Sequence, residues 1–341
     1  MAATLVEYKY LGPAAEVRKG IAITIVKEFP WLTDLPFVEI HNDTSRYKME
    51  TTAARADTYE VGETWVEGTP SWEYRDAALA ILGGDADDDN FGRLSAAGED
   101  TMAAMVELKS KAIANWFAEL CILGQTTAVA KYSATKNFKG LIRLNCECES
   151  STATDLDGAL FSTYATGGNN SQVVVAAASA SATLTLDMLT MVRKIVKPSA
   201  THFITHWQML NKIESLARAA GNNLEHDQNQ LGMPVTRFGP QILIQDDYVP
   251  INFPDPASSV CSPASYTPTT TWAAANDTIP IFAARLGEDG LCGINGEGMI
   301  KVEKFDKLET KDAKRVRVKF YAGLRLTNKL ALAGLYGATT A

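Results

Sequence analysis

The sequence is short of the residues and motifs on which most enzymes build their chemistry. It has four histidines in 341 residues, which leaves Asp, Glu or Lys to serve wherever a general base is needed. No Walker loop and no GxSxG elbow occurs. The five cysteines, Cys121, Cys146, Cys148, Cys261 and Cys292, are odd in number and scattered. In a chain of this size they read as reduced thiols rather than a disulfide framework. No run approaches the roughly 18 apolar residues of a membrane span. MAATLVEYKY, at the start, has neither a basic n-region nor an apolar core, so no export signal is expected. A basic surplus is missing as well: 40 acidic against 32 basic residues leave a net charge of −8, which argues against a dedicated nucleic-acid binder. The expectation is a soluble protein made in a reducing cytoplasm.

The few candidate ligand clusters are thin. His202 and His206 stand four apart, but a strand-to-helix junction falls between them and no HExxH glutamate is present. Cys146-x-Cys148 has no second Cys or His pair nearby. DADDDN (85–90) resembles the opening of a calcium loop, yet Asn90 and Ala96 stand where Gly and Glu are needed, so it reads as a solvated acidic loop. GINGEG (293–298) lacks the GxGxxG spacing and a following helix, and reads as a turn. The residues therefore point to no metal, no cofactor and no catalytic group.

What is present is structural. With 46% hydrophobic residues the chain can bury a substantial core. Residues 13–29 place Val17, Ile21, Ile25 and Phe29 at helical spacing, with Pro30 as the stop. Residues 45–65, SRYKMETTAARADTYEVGETW, alternate, break at 53–57 and alternate again, the pattern of a β-hairpin. Its apolar positions are too sparse to hold it on a core of its own, and a lone hairpin is marginal in water. The longest regular element is 95–123, where Met102, Met105, Val106, Ile113, Trp116, Phe117, Leu120 and Leu123 form one stripe at period 3.6. At 1.5 Å per residue that helix would run roughly 40 Å. FKGLIRL (138–144) reads as a strand. A helix from Thr185, the strand HFIT (202–205), the helix HWQMLNKIESLARAAG, two more strands and a surface loop at 254–278 follow. The last third returns to strands. Helices and strands mix without strict βαβ alternation, so the class is α+β. From Lys301 to Lys329, ten Lys/Arg stand against four Asp/Glu, a surplus that reads either as a solvated strand face or as a surface meeting an acidic neighbouring copy.

The order of these pieces is similar to that of a tailed-bacteriophage major capsid protein of the Hong Kong 97 type. The resemblance covers almost the whole chain. It is carried by FPWLTDLPFVEI followed by RYKMETT, by LTLDMLTMVRKIV followed by HFITHWQMLNKIESLARAAG, by GMPVTRFGPQILIQDDYVP, and by VRVKFYAGLRLTNKLALAGLYG. It implies an N-terminal arm (1–36), an extended hairpin loop (37–80), a peripheral domain with the spine helix 95–123 (81–175), an axial domain (176–300) and closing strands (301–341). It also implies a non-enzymatic virion protein, assembled in the host bacterial cytoplasm as hexamers and pentamers around double-stranded DNA that it touches non-specifically. A separate scaffold, a portal and decoration proteins would be partners; a membrane would not. The hairpin would find its core on an adjacent subunit, which makes Trp31, Leu32, Tyr47, Lys48, Tyr59, Trp65, Arg315 and Arg317 the expected inter-subunit contacts. Two rival readings are an encapsulin shell, which shares this fold, and a cytosolic α+β enzyme with an inserted hairpin.

Overall fold

The computed structural model describes residues 34–52, 54–90, 101–126, 130–132, 136–148, 156, 158–160, 170–177, 182–221, 225–228, 234–253, 278–305, 308–309 and 311–340. The arm helix expected at 13–29, Trp31, Leu32, Cys261 and most of the 254–278 loop lie outside them. A four-stranded sheet takes the order β1 (Phe37–Glu39), β13 (Leu291–Phe305), β14 (Ala313–Leu326), β4 (Ala80–Asp89). Its long strands β13 and β14 are antiparallel, and β14 is antiparallel to β4 along the whole of Ala80–Asp89. Helix α1 (Thr101–Leu123) packs across one face. The 23 described residues of α1 span roughly 35 Å at 1.5 Å each; residues 95–100 of the expected helix lie outside the described part.

Period decides which side chains meet. On β14, Val316, Val318, Phe320 and Ala322 are buried, while Arg315, Arg317 and Lys319 alternate with them towards the other face. From α1, Val106, Ile113, Phe117 and Leu120 enter the same core. Phe117 is the centre of that layer, with ring centroids 6.2 Å from Phe37, 5.6 Å from Phe138 and 5.2 Å from Phe320.

Two expectations change here. DADDDN is not a solvated loop: Asp85 to Asp89 form the end of β4, because β14 supplies a facing arginine for Asp85 and Asp87. GINGEG is not a turn but part of β13, whose register shifts between Asn295 and Ile300. That irregularity absorbs the glycines without ending the strand.

The second sheet has eight strands, in the order β5 (Gly158–Leu160), β6 (Asn170–Val175), β15 (Leu332–Tyr336), β12 (Ile281–Ala284), β8 (His202–Thr205), β11 (Gln241–Gln245), β10 (Pro234–Phe238), β9 (Glu225–Gln228). A short pair, β7 (Ala182–Thr183) and β16 (Ala338–Thr339), runs parallel beside it. Helices α2 (Leu141–Cys146), α3 (Leu186–Ile195) and α4 (Trp207–Ala219) are capped or buried as their sequences dictate. Thr185 accepts from the Met188 amide at the start of α3, and His206 accepts from the Gln208 amide at the start of α4. Helix α2 replaces the strand expected at FKGLIRL. Leu141, Ile142, Leu144, Asn145 and Cys146 are all buried, and a segment apolar on every side gives no period by which to tell strand from helix. Gly124 and Gly140 pass so closely, with Gly140 N–H donating to Gly124 O at 2.9 Å, that a side chain on either would collide with the other's backbone. One continuous apolar cluster runs from Leu35 to Ala338 through both sheets.

Candidate functional site

The hairpin consists of β2 (Thr44–Thr52) and β3 (Ser71–Ala78), antiparallel, with Thr44 opposite Ala78 and Thr52 opposite Ser71. This corrects the register expected from the sequence: the returning strand is 71–78, and residues 58–65 belong to the connection between the strands. The two faces of the ribbon differ. Tyr47, Met49, Glu73, Arg75 and Ala77 turn towards the body and are buried or half-buried. Arg46, Lys48, Glu50, Trp72, Tyr74 and Asp76 are exposed. Lys48 Nζ sits 5.5 Å from the centre of the Tyr74 ring, a cation–π contact on the outer face.

The tip, 54–70, has a shape of its own without strand pairing. The Tyr59 hydroxyl donates to Val66 O (3.1 Å) and accepts from Val66 N–H (3.0 Å). Its ring stacks on Trp65 with centroids 4.4 Å apart. At the apex Glu60 N–H donates to Glu63 Oε2 (2.8 Å) and Glu63 N–H to Glu60 O (3.2 Å), with Gly62 supplying the turn at φ +92°. The tip therefore holds a fixed form and presents Val61 and Trp65, 109% and 79% exposed, beside exposed Val66. Trp72 and Tyr74 on β3 add two more exposed aromatic side chains to the hairpin.

Of the residues singled out from the sequence, Lys48, Tyr59 and Trp65 fall on the outer face and tip of the hairpin, with Tyr59 doing the internal bracing. Tyr47 does not: its ring faces its own subunit, and burial pushes its hydroxyl up to about 12. The expectation that Tyr47 finds its burial only on another copy is thereby corrected. Val61, Val66, Trp72 and Tyr74 were missed. The alternation of SWEYRDAA would have revealed the last two, had the strand been placed there.

Arg315 and Arg317 meet their acidic surface at home. Arg315 Nε and Nη2 donate to Asp87 at 2.6 and 2.9 Å, and Arg317 Nε and Nη2 donate to Asp85 at 2.6 and 2.9 Å. The acidic run and the basic strand, read separately in the sequence, are cross-strand neighbours. Hydrogen bonds from Arg317 and Arg315 hold the Asp85 and Asp87 carboxyls below their usual 3.8. A depressed folded-state value stabilises the fold above 3.8 and is lost as pH falls through the folded value. Replacing both aspartates by asparagine should therefore lower the melting temperature slightly near neutral pH and leave it unchanged in strong acid. A melting difference that persists undiminished at the acid end would refute this linkage.

Among the described residues no cluster of three His, Cys, Asp or Glu side chains could hold a metal. His202 lies 3.5 Å from Asp34 and 2.8 Å from Thr201 Oγ1, while His206 caps α4. The described cysteines are buried, and burial pushes the Cys148 thiol up to about 12. No helix is long and apolar enough to cross a membrane, among the described residues.

No protein-family model and no curated protein matches the chain. Solved structures do. The holo-SrpI encapsulin complex from Synechococcus elongatus PCC 7942 matches with a TM-score of 0.58 at 13% identity, over 100% of this chain and 93% of that one. The capsid of the empty GTA particle matches with a TM-score of 0.60 at 12% identity, over 97% and 93%. Mycobacterium phage Adephagia matches with a TM-score of 0.52 at 13% identity, over 92% and 89%. The chain has the Hong Kong 97-type fold that these capsid and encapsulin subunits share.

Proposed function

We propose that the protein is a shell subunit, the major capsid protein of a tailed phage, whose copies close as hexamers and pentamers around double-stranded DNA. The observation that carries this reading is the arm. The tip of the hairpin is braced by its own hydrogen bonds and ring stack, and the hairpin's largest side chains, Trp65 and Trp72, face solvent. Apolar surface of that kind is buried between molecules, and a closed lattice lets every copy both give and receive it. Lys48, Tyr59 and Trp65 then belong to the contact, as do Trp31 and Leu32 of the N-terminal arm. The four-stranded sheet with α1 would be the peripheral domain and the eight-stranded sheet the axial one. The reading is of a protein without catalysis, served by a separate scaffold, a portal and decoration proteins.

Electron microscopy of the full-length chain, alone and with its scaffold, should show closed shells. A monodisperse small oligomer under both conditions would overturn the reading. The alternative is an encapsulin shell, whose subunit shares this fold. Particles that contain a protein cargo and no nuclease-protected DNA would decide for it. Within the shell reading, Tyr59→Phe should leave melting unchanged, because the ring stack survives. It removes two hydrogen bonds that fix the tip, each worth about 0.5–1.5 kcal/mol. The subunit concentration needed for assembly, followed by light scattering, should rise several-fold; an unchanged threshold would show that the tip needs no bracing.

A further inference from the structure

Where the hairpin leaves the body, it inserts a charged side chain into the interior. Arg75 of β3 is 7% exposed. Its Nη1 donates to the carbonyl oxygen of Glu147, the C-cap of α2, 72 residues away in sequence. Its Nη2 donates to Glu73 at 3.2 Å, and its Nε has no hydrogen-bond partner. The far side of the contact is firmly held. The Glu147 carboxylate accepts from Lys139 Nζ at 2.7 Å and Arg143 Nε at 2.9 Å. Within α2, Asn145 Nδ2 donates to Tyr336 Oη at 2.9 Å, which ties the helix to the eight-stranded sheet. Tyr47, directly opposite Arg75 in the ladder, packs beside it.

A buried guanidinium with an unpaired N–H is a poor source of stability, since an apolar residue of similar volume serves a core as well or better. What a guanidinium provides is direction: the N–H groups of its planar fork donate at fixed angles. The cation also suits the carbonyl end of a helix, where the dipole is negative. By contrast Arg46–Asp76, one position along on the outer face, is exposed on both sides and can add little.

We propose that Arg75 is the positioning residue of the arm: anchored on the Glu147 carbonyl, it sets the angle at which the hairpin leaves the subunit, and through that the geometry between copies. The second half rests on the shell reading; the first does not.

Hydrogen exchange on the full-length, unassembled chain tests the first half. In Arg75→Ala, amides of 44–52 and 71–78 should exchange faster by about ten- to a hundredfold, the loss expected for a charge-assisted hydrogen bond. Amides of α1 and the eight-stranded sheet should be unchanged. Arg75→Lys, which keeps a charge and one donor but not the fork, should lie between the two. Unchanged protection of the hairpin in Arg75→Ala would overturn the proposal. So would a uniform loss of protection through both sheets in Arg75→Ala and Arg75→Lys alike, which would make Arg75 a core residue. Microscopy tests the second half: Arg75→Ala should give particles of mixed curvature where the parent chain gives one size. Uniform parental-size shells from Arg75→Ala would overturn that half. If the parent chain forms no shells at all, the shell reading fails and the exchange result stands by itself.

Discussion

Joining Thr52 to Ser71 by a short Gly/Ser turn in place of 53–70 should abolish shells and spare the subunit. The two residues already face each other across the ladder, so a tight turn can close the ribbon without changing its register. Everything that ties the hairpin to the body lies below the cut: Tyr47, Met49, Glu73, Arg75 and Ala77 remain. What goes is the tip with Val61, Trp65 and Val66, none of them in contact with the core cluster. The melting temperature should move by no more than about 1.5 °C, the shift that corresponds to roughly 1 kcal/mol in a chain of this size. Assembly should suffer far more, because a lattice contact deleted from one copy is deleted from all of them. Shell yield by sedimentation should collapse while soluble subunit accumulates. Melting that falls by 10 °C or so would mean the tip is an internal element of the fold.

Phe117→Ala should do the reverse. Phe117 is 2% exposed and touches Phe37, Phe138 and Phe320, which come from β1, the approach to α2, and β14. Truncating such a ring removes its burial and leaves a cavity that rigid neighbours cannot refill, at a cost of about 3–5 kcal/mol. That is much of the net stability of an ordinary domain. Thermal unfolding of the unassembled subunit should fall by roughly 4–7 °C. The neighbouring Trp116→Ala should cost clearly less, because Trp116 is only half-buried, stacked 6.0 Å from Tyr132 beneath Lys131. Equal losses for the two would show that the layer around Phe117 is not the centre of the core.

The helix that carries both residues was legible because its period is unambiguous. Val106, Ile113, Phe117, Leu120 and Leu123 recur at 3.6 and are buried, while Met102, Met105 and Trp116 sit at the margin of the stripe. The existence of the hairpin was legible too, from the alternation of 45–52. Its second strand was not. Tyr59, Val61 and Trp65 imitate a strand face, whereas the true strand turns Arg75 inwards and Trp72 and Tyr74 outwards, the opposite of the pattern by which strands are recognised. The acidic run failed for a related reason. Asp and Gly are poor strand formers, and only the guanidiniums of Arg315 and Arg317, over 220 residues away, make a strand of them. Both failures fall where long-range partners override local preference. In the hairpin's case the inverted pattern is also what leaves Trp72 and Tyr74 exposed.

The placement of those aspartates has one more effect. Strand β4 is the outermost strand of its sheet, so its far backbone edge is open to pairing with another chain, the usual route to uncontrolled aggregation. Asp85, Asp87 and Asp89 crowd one end of that edge, while Asp88 is buried on the opposite face. Two copies brought together edge to edge would set carboxylate against carboxylate, with Arg315 and Arg317 already engaged across the ladder within their own sheet. Under the shell reading proposed above, a subunit at high local concentration among its own copies would thus be deterred from zipping into endless ribbons, and side-chain docking through the hairpin would be left as the route by which copies join.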